Sequence, residues 1–364
     1  MSLIIPPTNQ LVNTLTLPPT KEQKEPVTPD SKELRVVFFG TPEFAVPILK
    51  ELIEHDFKPT AVVTAPDKPV GRKQEIVPPP VKVFAQENNI PIVQPQTKEE
   101  LIFQVVNLKP DLIILAAYGK ILPKEILQLP KYGAINIHPS LLPKYRGASP
   151  VQFAILNGDK ETGVTIMLMN EKIDEGSILA QEKINIAPEE TYESLEKKLS
   201  LFGAKLLIKT LNRWIVLKEM PDLAQKAIKP QEQNNSEASY TKILTKKDGK
   251  IKWQKTALEI ERQIRAFYPW PGSFTTFIEK SDSPKSRAKN KKPAQILKIL
   301  KASVLNAQTK KDIGRVFLTD DKKLAVQTGA GCLIIEILQP EGGKAMPAAE
   351  FLNGHPGIIG TILK

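Results

Sequence analysis

The sequence predicts a two-domain protein in which a doubly wound α/β domain, with a mostly parallel sheet, precedes a smaller β-barrel. Three observations lead to this prediction. The chain has 364 residues, more than one hydrophobic core usually organises. Its first two thirds alternate apolar runs with amphipathic segments, which is typical of strand–helix–strand units. Its last third holds short β-like runs separated by Gly, Asp and Lys, a pattern typical of small barrels.

The first domain is expected over residues 34–218. Its opening run, "LRVVFFG", is apolar throughout and ends in glycine, as buried parallel strands do. We expect Thr41 to cap the following helix, with Pro42 at the first helical position, and residues 69–80 to form a loop. Strands are predicted at 34–40, 59–67, 91–95, 111–119, 133–140, 163–170 and 177–186, and helices over 41–56, 81–89, 98–110 and 190–218.

Ligands of such sheets bind beyond the carboxyl ends of the strands, where the connections leave the sheet. The prediction therefore brings Thr41, Gly119 and His138 to one rim. The first strand is followed by "GTPEFA", which lacks the Gly-x-Gly-x-x-Gly pattern of dinucleotide sites. This difference argues against a nicotinamide cofactor.

Two segments lie outside the predicted domains. Residues 1–33 combine an uncharged, proline-containing start with a polar continuation, and they lack the basic start of a secretory signal and the arginines of a transit peptide. We expect a disordered N-terminal extension on a cytoplasmic protein. Residues 219–237 lose helical period and gain Pro, Asn, Gln and Glu, which predicts a linker.

The second domain is expected over residues 238–364. We predict a helix from residue 256 that is halted at Pro269, and a basic flexible loop over 280–293. The β-like runs are "GKIKW", "SFTTFIE", "AQILKILKASVL", "GRVFLT", "LAVQTG" and "GCLIIEILQP".

The basic excess of the chain is confined to this second domain. Residues 238–364 carry 23 Lys and Arg against 11 Asp and Glu, whereas the other 237 residues carry 28 against 29. A lysine-rich composition alone would spread this charge along the chain, so its concentration favours a polyanion such as nucleic acid. No apolar run reaches the roughly 18 residues of a membrane helix.

Cysteine and histidine are too few for a metal-binding framework. The single cysteine, Cys332, lies in an apolar run and is expected to be buried and inert. With three scattered histidines, we expect no metal site.

One of these histidines, His138, is the first candidate catalytic residue. It follows Asn136 by two positions, so both side chains of the predicted strand point to the same side. An amide donor and an imidazole suit acyl chemistry, since both donate to a carbonyl oxygen that gains negative charge. The alternative is a histidine that caps a strand end in ordinary packing.

Asp174, in "MNEKIDEGSILAQ", is the best candidate for the carboxylate that orients this histidine. The alternative is a turn aspartate that bonds its own backbone. Ser140 is close in sequence to His138, but no Gly-x-Ser-x-Gly elbow surrounds it, so we expect direct transfer without a covalent enzyme intermediate.

Two loops beside this site have open interpretations. In "SLLPKYRG", Leu141 and Leu142 are placed either against a flat apolar ligand or in the ordinary core. In "PVGRKQ", Arg72 and Lys73 lie on a loop that is either a binding element or a solvated basic turn.

Five segments together resemble the folate-dependent formyltransferases over residues 34–364. They are "FFGTPEFAVPIL", "AAYGKILP", "GAINIHPSLLPKYRGASPVQFAILNGDKETGVTIM", "IDEGSILAQ" and "IRAFYPWPGSF". Asn-x-His-x-Ser-Leu-Leu-Pro with a downstream Asp-x-Gly is very specific for this family. The second domain, with "RAFYPWPGSF", narrows the resemblance towards the members that formylate methionyl initiator tRNA.

The resemblance implies the roles of individual residues. Asn136, His138 and Asp174 match the catalytic trio of the family. Ser140, Leu141, Leu142 and Pro143 match the segment associated with binding 10-formyltetrahydrofolate, the formyl donor, and Gly119 on the rim is assigned to the same site. Arg72 and Lys73 match a loop used on the tRNA acceptor end, and the C-terminal barrel, similar to an OB fold, would hold the tRNA backbone.

Two alternatives stay open at this point. One is a related transferase that acts on a sugar nucleotide or on glycinamide ribonucleotide, although a small substrate does not require a wide cationic face. The other is a catalytically inert nucleic-acid-binding protein on the same scaffold, although all three candidate catalytic residues are present. The resemblance implies a monomer in the bacterial cytoplasm.

Overall fold

The computed structural model describes residues 34–70, 74–219, 228–278, 294–307 and 309–364. Four predicted features lie outside these ranges: the N-terminal extension, Arg72, Lys73 and the basic loop at 280–293. The bounds predicted for the two domains and the linker stay a prediction.

The first half of the chain folds around a seven-stranded sheet that is mostly parallel, as predicted. The strands are β1 (Val36–Gly40), β2 (Ala61–Val63), β3 (Lys68–Val70), β4 (Glu75–Val77), β5 (Ile92–Val93), β6 (Leu112–Ala116), β7 (Ala134–His138), β8 (Arg146–Gly147), β9 (Glu161–Leu168) and β10 (Ile178–Asn185). The order in the sheet is β10-β9-β7-β6-β1-β2-β5, and β9 alone runs opposite to the other strands, so it pairs antiparallel with both β7 and β10. Strands β9 and β10, which correspond to the runs predicted at 163–170 and 177–186, pair with each other.

Helices cover both faces of this sheet, so β1 and β6 are buried along their whole length. The helices are α1 (Val46–Glu54), α2 (Pro80–Glu87), α3 (Lys98–Leu108), α4 (Lys124–Leu127), α5 (Pro150–Asn157) and α6 (Tyr192–Glu219). Leu195, Leu199 and Leu207 of α6 are fully buried against the core, as expected from their helical spacing.

Two local predictions in this half are wrong. Thr41 does not cap α1, because a 3₁₀ turn over Glu43–Ala45 intervenes and the Thr41 hydroxyl donates instead to the Tyr118 carbonyl at 3.3 Å. The segment 69–80 is more than a loop, because β3 and β4 form an antiparallel hairpin within it and α2 begins at Pro80.

The described residues of the second half form a curled antiparallel half-barrel and two helices, in agreement with the predicted OB-like domain. Its elements are β11 (Tyr240–Thr241), α7 (Ala257–Ala266), β12 (Ser273–Phe277), β13 (Gln295–Leu305), β14 (Val316–Leu318), β15 (Leu324–Gln327), β16 (Cys332–Pro340), β17 (Met346–Pro347) and α8 (Ala348–Gly354). The sheet order is β12-β13-β16-β15-β14, with β17 on β16.

The C-terminal residues join the two edges of this sheet. Lys364 exchanges two backbone hydrogen bonds of 2.9 Å with Thr276 of β12, and Ile362 bridges Arg315 beside β14. The strand predicted at "GKIKW" is wrong: a 3₁₀ turn over Lys246–Gly249, capped by Thr245 and Asp248, occupies its start, and only Lys250 forms a β-bridge.

The described part of the predicted linker packs against the first domain, where Ile228 joins the core. Residues 228–237 are described, and Gln231 exchanges backbone hydrogen bonds with Ile178 at the start of β10. Directly after them, β11 pairs in parallel with β8, the short strand that follows the His138 turn. The connection between the domains is thus built into the edge of the predicted site.

Candidate functional site

Strand β7 places Asn136 and His138 side by side in the middle of the sheet. It lies between β6 and β9, with Asn136 opposite Met167 and His138 opposite Thr165 of β9. Asn136 is 7% exposed and His138 is 4% exposed. Because residues two apart in a strand share a face, the amide and the imidazole are directed to one place, as predicted.

Asp174 reaches this pair from the turn between β9 and β10. Its Oδ1 accepts from Asn136 Nδ2 at 3.4 Å, and its Oδ2 lies 3.7 Å from His138 Nδ1. The same Oδ2 accepts from the backbone N–H of Gly147 at 2.8 Å. The structure therefore brings the three candidate catalytic residues together, and Asp174 bonds across the site instead of to its own backbone.

The orientation of the His138 ring is set by a backbone carbonyl. Nε2 lies 3.0 Å from the Tyr145 oxygen. Because a carbonyl only accepts hydrogen bonds, Nε2 carries a proton and Nδ1 is the nitrogen that faces Asp174. This arrangement leaves Nδ1 as the atom at which a proton is gained or lost beside the carboxylate.

The Tyr145 carbonyl is held in place by its own residue and by the interdomain connection. Tyr145 has a positive φ of 61°. Its hydroxyl donates to Asp159 Oδ2 at 2.7 Å, and its N–H donates to Ser239 Oγ at 2.9 Å. Burial raises the pKa of Tyr145 to about 12, so the phenol stays protonated near neutral pH and keeps this donor role.

Asp174 also has a positive φ, of 51°, which places it in the left-handed region that Asp tolerates better than most residues. The turn it belongs to requires Gly176 for a separate reason. A Cβ at position 176 would lie 1.7 Å from the Leu168 carbonyl oxygen, so no side chain fits there. The Asp-x-Gly spacing of the sequence therefore has a steric cause in this turn.

Two residues of the site were not singled out from the sequence. Gln233, in the predicted linker, donates to the backbone oxygens of Asp174 and Gly176 at 2.8 and 2.7 Å. Arg146 is fully buried beside it. Arg146 lies within a quoted motif, but neither residue has a local sequence pattern that reveals its contacts.

The predicted folate segment forms the tight turn after β7. Ser140 is fully buried, and its hydroxyl donates to the Lys144 carbonyl at 2.6 Å. Leu142 is 3% exposed, and its backbone N–H and carbonyl are bound by Thr165 and Gln181. The structure therefore places Leu142 in the core, the second of the two environments considered for it.

The remaining residues assigned to folate, which are Leu141, Pro143 and Gly119, have different surroundings. Leu141 lies against β9, within 2.5 Å of where a Gly163 Cβ would stand, and Pro143 is half-buried. Gly119 follows β6 with a φ of 82°, and a Cβ there would meet no atom within 4 Å. Gly119 therefore has open space beside it, and the assignment of these residues to folate stays a prediction.

The hairpin formed by β3 and β4 belongs to the same half of the molecule but lies outside the seven-stranded sheet. Its β4 strand is exposed, with Ile76 at 73% and Val77 at 46%. At its base, Asp67 accepts from Lys82 Nζ at 2.7 Å and from Gln94 Nε2 at 2.9 Å. The hydrogen bond from Gln94, followed by that from Lys82, lowers the pKa of Asp67. Arg72 and Lys73 belong to the hairpin sequence but lie outside the described residues.

Several lysines of the barrel face solvent without a carboxylate partner. Among the described residues, Lys252, Lys298 and Lys344 are exposed and take part in none of the ion pairs. Within the same ranges, no three His, Cys, Asp or Glu side chains are grouped to hold a metal ion. None of the helices in the described part of the chain is long and apolar enough to cross a membrane.

The chain matches known proteins along most of its length. The formyl transferase family matches residues 34–211, and the formyl transferase C-terminal domain matches residues 243–356. A methionyl-tRNA formyltransferase of Geobacter metallireducens is 40% identical over 330 residues, which make up 89% of this chain and 98% of the relative.

Two solved structures share the fold. An N-formyltransferase from Helicobacter canadensis, in complex with folinic acid and dTDP-3-aminofucose, is 24% identical with a TM-score of 0.55, and the match covers 83% of this chain and 98% of that one. HypX from Aquifex aeolicus is 17% identical with a TM-score of 0.54, covering 88% of this chain. This chain spans 48% of the length of HypX.

Proposed function

The chain belongs to the methionyl-tRNA formyltransferase family, and from that membership we propose that it formylates the α-amino group of methionyl initiator tRNA. The formyl donor is 10-formyltetrahydrofolate. The observation that carries the chemistry is the convergence of Asn136 and His138 on the Asp174 carboxylate, at 3.4 and 3.7 Å.

The reaction exchanges one carbon–nitrogen bond for another. The methionyl nitrogen bonds to the formyl carbon, the bond from that carbon to N10 of the folate breaks, and one proton moves from the amine to N10. The formyl oxygen gains negative charge on the way. The site must therefore supply donors to that oxygen and a group that accepts and returns a proton.

Asn136 is suited to the first task. Its amide carries two N–H groups, of which one is directed to Asp174 Oδ1 at 3.4 Å. The second is left for the formyl oxygen. Losing a comparable donor in other acyl-transfer sites reduces turnover by about 10²–10³.

His138 and Asp174 are suited to the proton transfer. Because Nε2 is engaged by the Tyr145 carbonyl, Nδ1 receives the amine proton while the Asp174 carboxylate, 3.7 Å away, stabilises the imidazolium. A protonated His138 then donates towards the departing N10. The Gly147 N–H, which donates to Asp174 Oδ2 at 2.8 Å, holds this carboxylate in place.

The two substrates are assigned to different parts of the molecule. The rim beyond β6 and β7, with Gly119 and the turn 140–143, is proposed for the folate. The hairpin with Arg72 and Lys73 and the exposed lysines of the barrel are proposed for the tRNA, whose phosphates match the net charge of +12 over residues 238–364. All three catalytic groups come from one chain, in agreement with a proposed monomer, and we place it in the bacterial cytoplasm with its tRNA substrate.

The decisive experiment offers the enzyme three formyl acceptors in parallel. Transfer of labelled formyl from 10-formyltetrahydrofolate is measured with methionyl initiator tRNA, a dTDP-amino sugar and glycinamide ribonucleotide. We expect rapid transfer to the tRNA alone. Preferential transfer to either small acceptor would replace this proposal with a related transferase, and tRNA binding without any transfer would indicate an inert binding protein.

A further inference from the structure

The interdomain segment, residues 231–241, runs along the edge of the site instead of bridging two independent domains. It is fixed at both ends by backbone pairing. Gln231 pairs with Ile178 at 2.8 and 2.9 Å, and β11 pairs with β8. Between these two attachments its side chains face the turn of Asp174 and the turn after His138.

Gln233 connects this segment to Asp174. Its Nε2 donates to two backbone oxygens of the Asp174 turn, those of Asp174 at 2.8 Å and Gly176 at 2.7 Å. An amide NH₂ has two protons, so both of its donors are used. Because Asp174 has a positive φ, the turn depends on its surroundings to keep this conformation.

Arg146 fixes the other end of the Gln233 side chain. Its guanidinium is fully buried and donates to Gln233 Oε1 at 3.1 and 2.8 Å, to Asn235 Oδ1 at 2.8 Å and to the Tyr240 hydroxyl at 3.0 Å. Glu175, the residue after Asp174, lies 3.3 Å from it. The side-chain amide of Gln233 is therefore held in a single orientation, because its oxygen must face the guanidinium and its nitrogen must face the turn.

The same segment reaches His138 through Tyr145. Ser239 accepts from the Tyr145 N–H through its hydroxyl at 2.9 Å, and its carbonyl accepts from the Arg146 N–H at 2.8 Å. The Tyr145 carbonyl in turn accepts from His138. The interdomain segment therefore holds Asp174 through the side chain of Gln233, and it holds His138 indirectly through Tyr145.

We propose that Gln233 and Arg146 are positioning residues of the formyl-transfer site, and that the interdomain segment sets the distance between Asp174 and His138. The inference rests on the proposed function for its kinetic consequence. Its structural consequence, a displaced His138 environment, is independent of which substrate the enzyme uses. Neither residue touches the reacting atoms, so the expected effect is on turnover and not on substrate binding.

The variant Gln233→Glu tests this proposal with the smallest change in shape. The carboxylate still accepts from Arg146, but one of its oxygens now faces two backbone oxygens, which breaks both bonds to the Asp174 turn. We expect kcat to fall by about tenfold or more, since outer partners of catalytic groups contribute about 10–100-fold and small misplacements are costly. KM for both substrates should stay within about threefold of the unmodified enzyme.

The matched control is Glu232→Gln, at the neighbouring exposed position of the same segment. This variant replaces a carboxylate with an amide, the reverse of Gln233→Glu, and it should leave kcat and KM unchanged. The variant Asn235→Ala removes one acceptor of Arg146, a step farther from Asp174, and should lower kcat less than Gln233→Glu does.

A spectroscopic readout separates positioning from simple loss of fold. The chain has three histidines, so the imidazole signals in a ¹H–¹⁵N spectrum are few and His138→Ala identifies one of them. In the full-length enzyme without substrates, Gln233→Glu should move the His138 signal and leave those of His55 and His355 in place. Glu232→Gln should move none of the three.

The outcomes decide the proposal whether or not the tRNA activity is found. An unchanged kcat with an unchanged His138 signal overturns it, and so does a loss of activity that only tracks the unfolded fraction. If Gln233→Glu does not fold, an unchanged His138 signal and kcat in Asn235→Ala overturn it instead. If the unmodified enzyme transfers formyl to no acceptor, the proposed function fails, while the His138 signal still tests the positioning.

Discussion

The turn after β7 buries its polar side chains, whereas the hairpin of β3 and β4 exposes apolar ones. In the turn, residues 138–149, the imidazole of His138, the hydroxyl of Ser140 and the guanidinium of Arg146 are all buried and hydrogen-bonded. In the hairpin, residues 68–77, the two short strands pair only with each other, and Ile76 is 73% exposed.

The difference follows from what each region is proposed to contact. Acyl transfer depends on atoms held within fractions of an ångström, which a buried and fully bonded turn provides. A tRNA end is large and is contacted from solvent, so an exposed element outside the main sheet is sufficient. The free energy of folding should therefore depend on the turn far more than on the hairpin.

The largest expected difference in the free energy of unfolding is between variants of a buried and of an exposed arginine. Arg146→Met removes the guanidinium shared by Gln233, Asn235 and Tyr240, leaving buried acceptors and Glu175 without it. We expect the free energy of unfolding to fall by about 3–5 kcal/mol, the range for breaking buried ionic networks.

The matched variant is Arg35→Met. Arg35 is 46% exposed and makes a bidentate pair with Asp111, so its loss should destabilise the fold far less than the loss of Arg146. Urea unfolding of both variants measures the contrast. Equal losses would contradict the view that the buried network fixes the turn.

An intermediate difference in stability is expected between variants of two apolar side chains. Leu142→Ala empties a site that is 3% exposed and should destabilise the fold by about 2–5 kcal/mol. Ile76→Ala, on the hairpin, should stay within about 0.5 kcal/mol. Thermal and urea unfolding give both numbers, and a hairpin variant as costly as the turn variant would show that the hairpin belongs to the folding core.

Sequence periodicity predicted the sheet of the first half because its buried strands are long and apolar. The predictions failed where local hydrogen bonds or very short strands outweigh the periodic pattern. Thr41 lost its capping role to a 3₁₀ turn and a bond to the Tyr118 carbonyl, and the hairpin was missed because its strands have three residues each and the side chains of β4 are exposed. At "GKIKW", the box of Thr245 and Asp248 overrode the β-propensity of the following residues.

The candidate site likewise contains residues that the sequence predicts and residues that it does not. The spacing of Asn136 and His138 on one strand places them together from sequence alone, and Asp174 was the best candidate for their carboxylate before the resemblance to the family supported it. Gln233 acts on a backbone oxygen 59 residues away, and its segment has no period. A contact of this kind depends on where two elements meet in space, so no local pattern predicts it.

The smallest expected effect concerns the base of the hairpin. Lys82→Met removes the ion pair with Asp67 and should cost about 1 kcal/mol or less in stability. If the hairpin contacts the tRNA, KM for the tRNA should rise severalfold while kcat and KM for the folate stay unchanged. Steady-state kinetics in both substrates tests this, and a fall in kcat alone would contradict the separation between hairpin and turn.

This pair also has a defined pH dependence. The hydrogen bonds from Gln94 and Lys82 lower the pKa of Asp67 in the folded state, so its contribution is present above about 4, the ordinary Asp value, and is lost as the pH falls below it. The difference in melting temperature between Lys82→Met and the unmodified protein should therefore shrink from pH 6 towards pH 3. A difference that grows on acidification would contradict this assignment.

The central claim is that His138 carries the proton in formyl transfer to methionyl initiator tRNA. Its most direct test is a single-turnover measurement with labelled 10-formyltetrahydrofolate on the unmodified enzyme, His138→Ala and the control His55→Ala, which alters the exposed histidine at the end of α1. We expect His138→Ala to slow the transfer by about 10² or more and His55→Ala to leave it unchanged. Equal rates in all three proteins would contradict the catalytic assignment of His138.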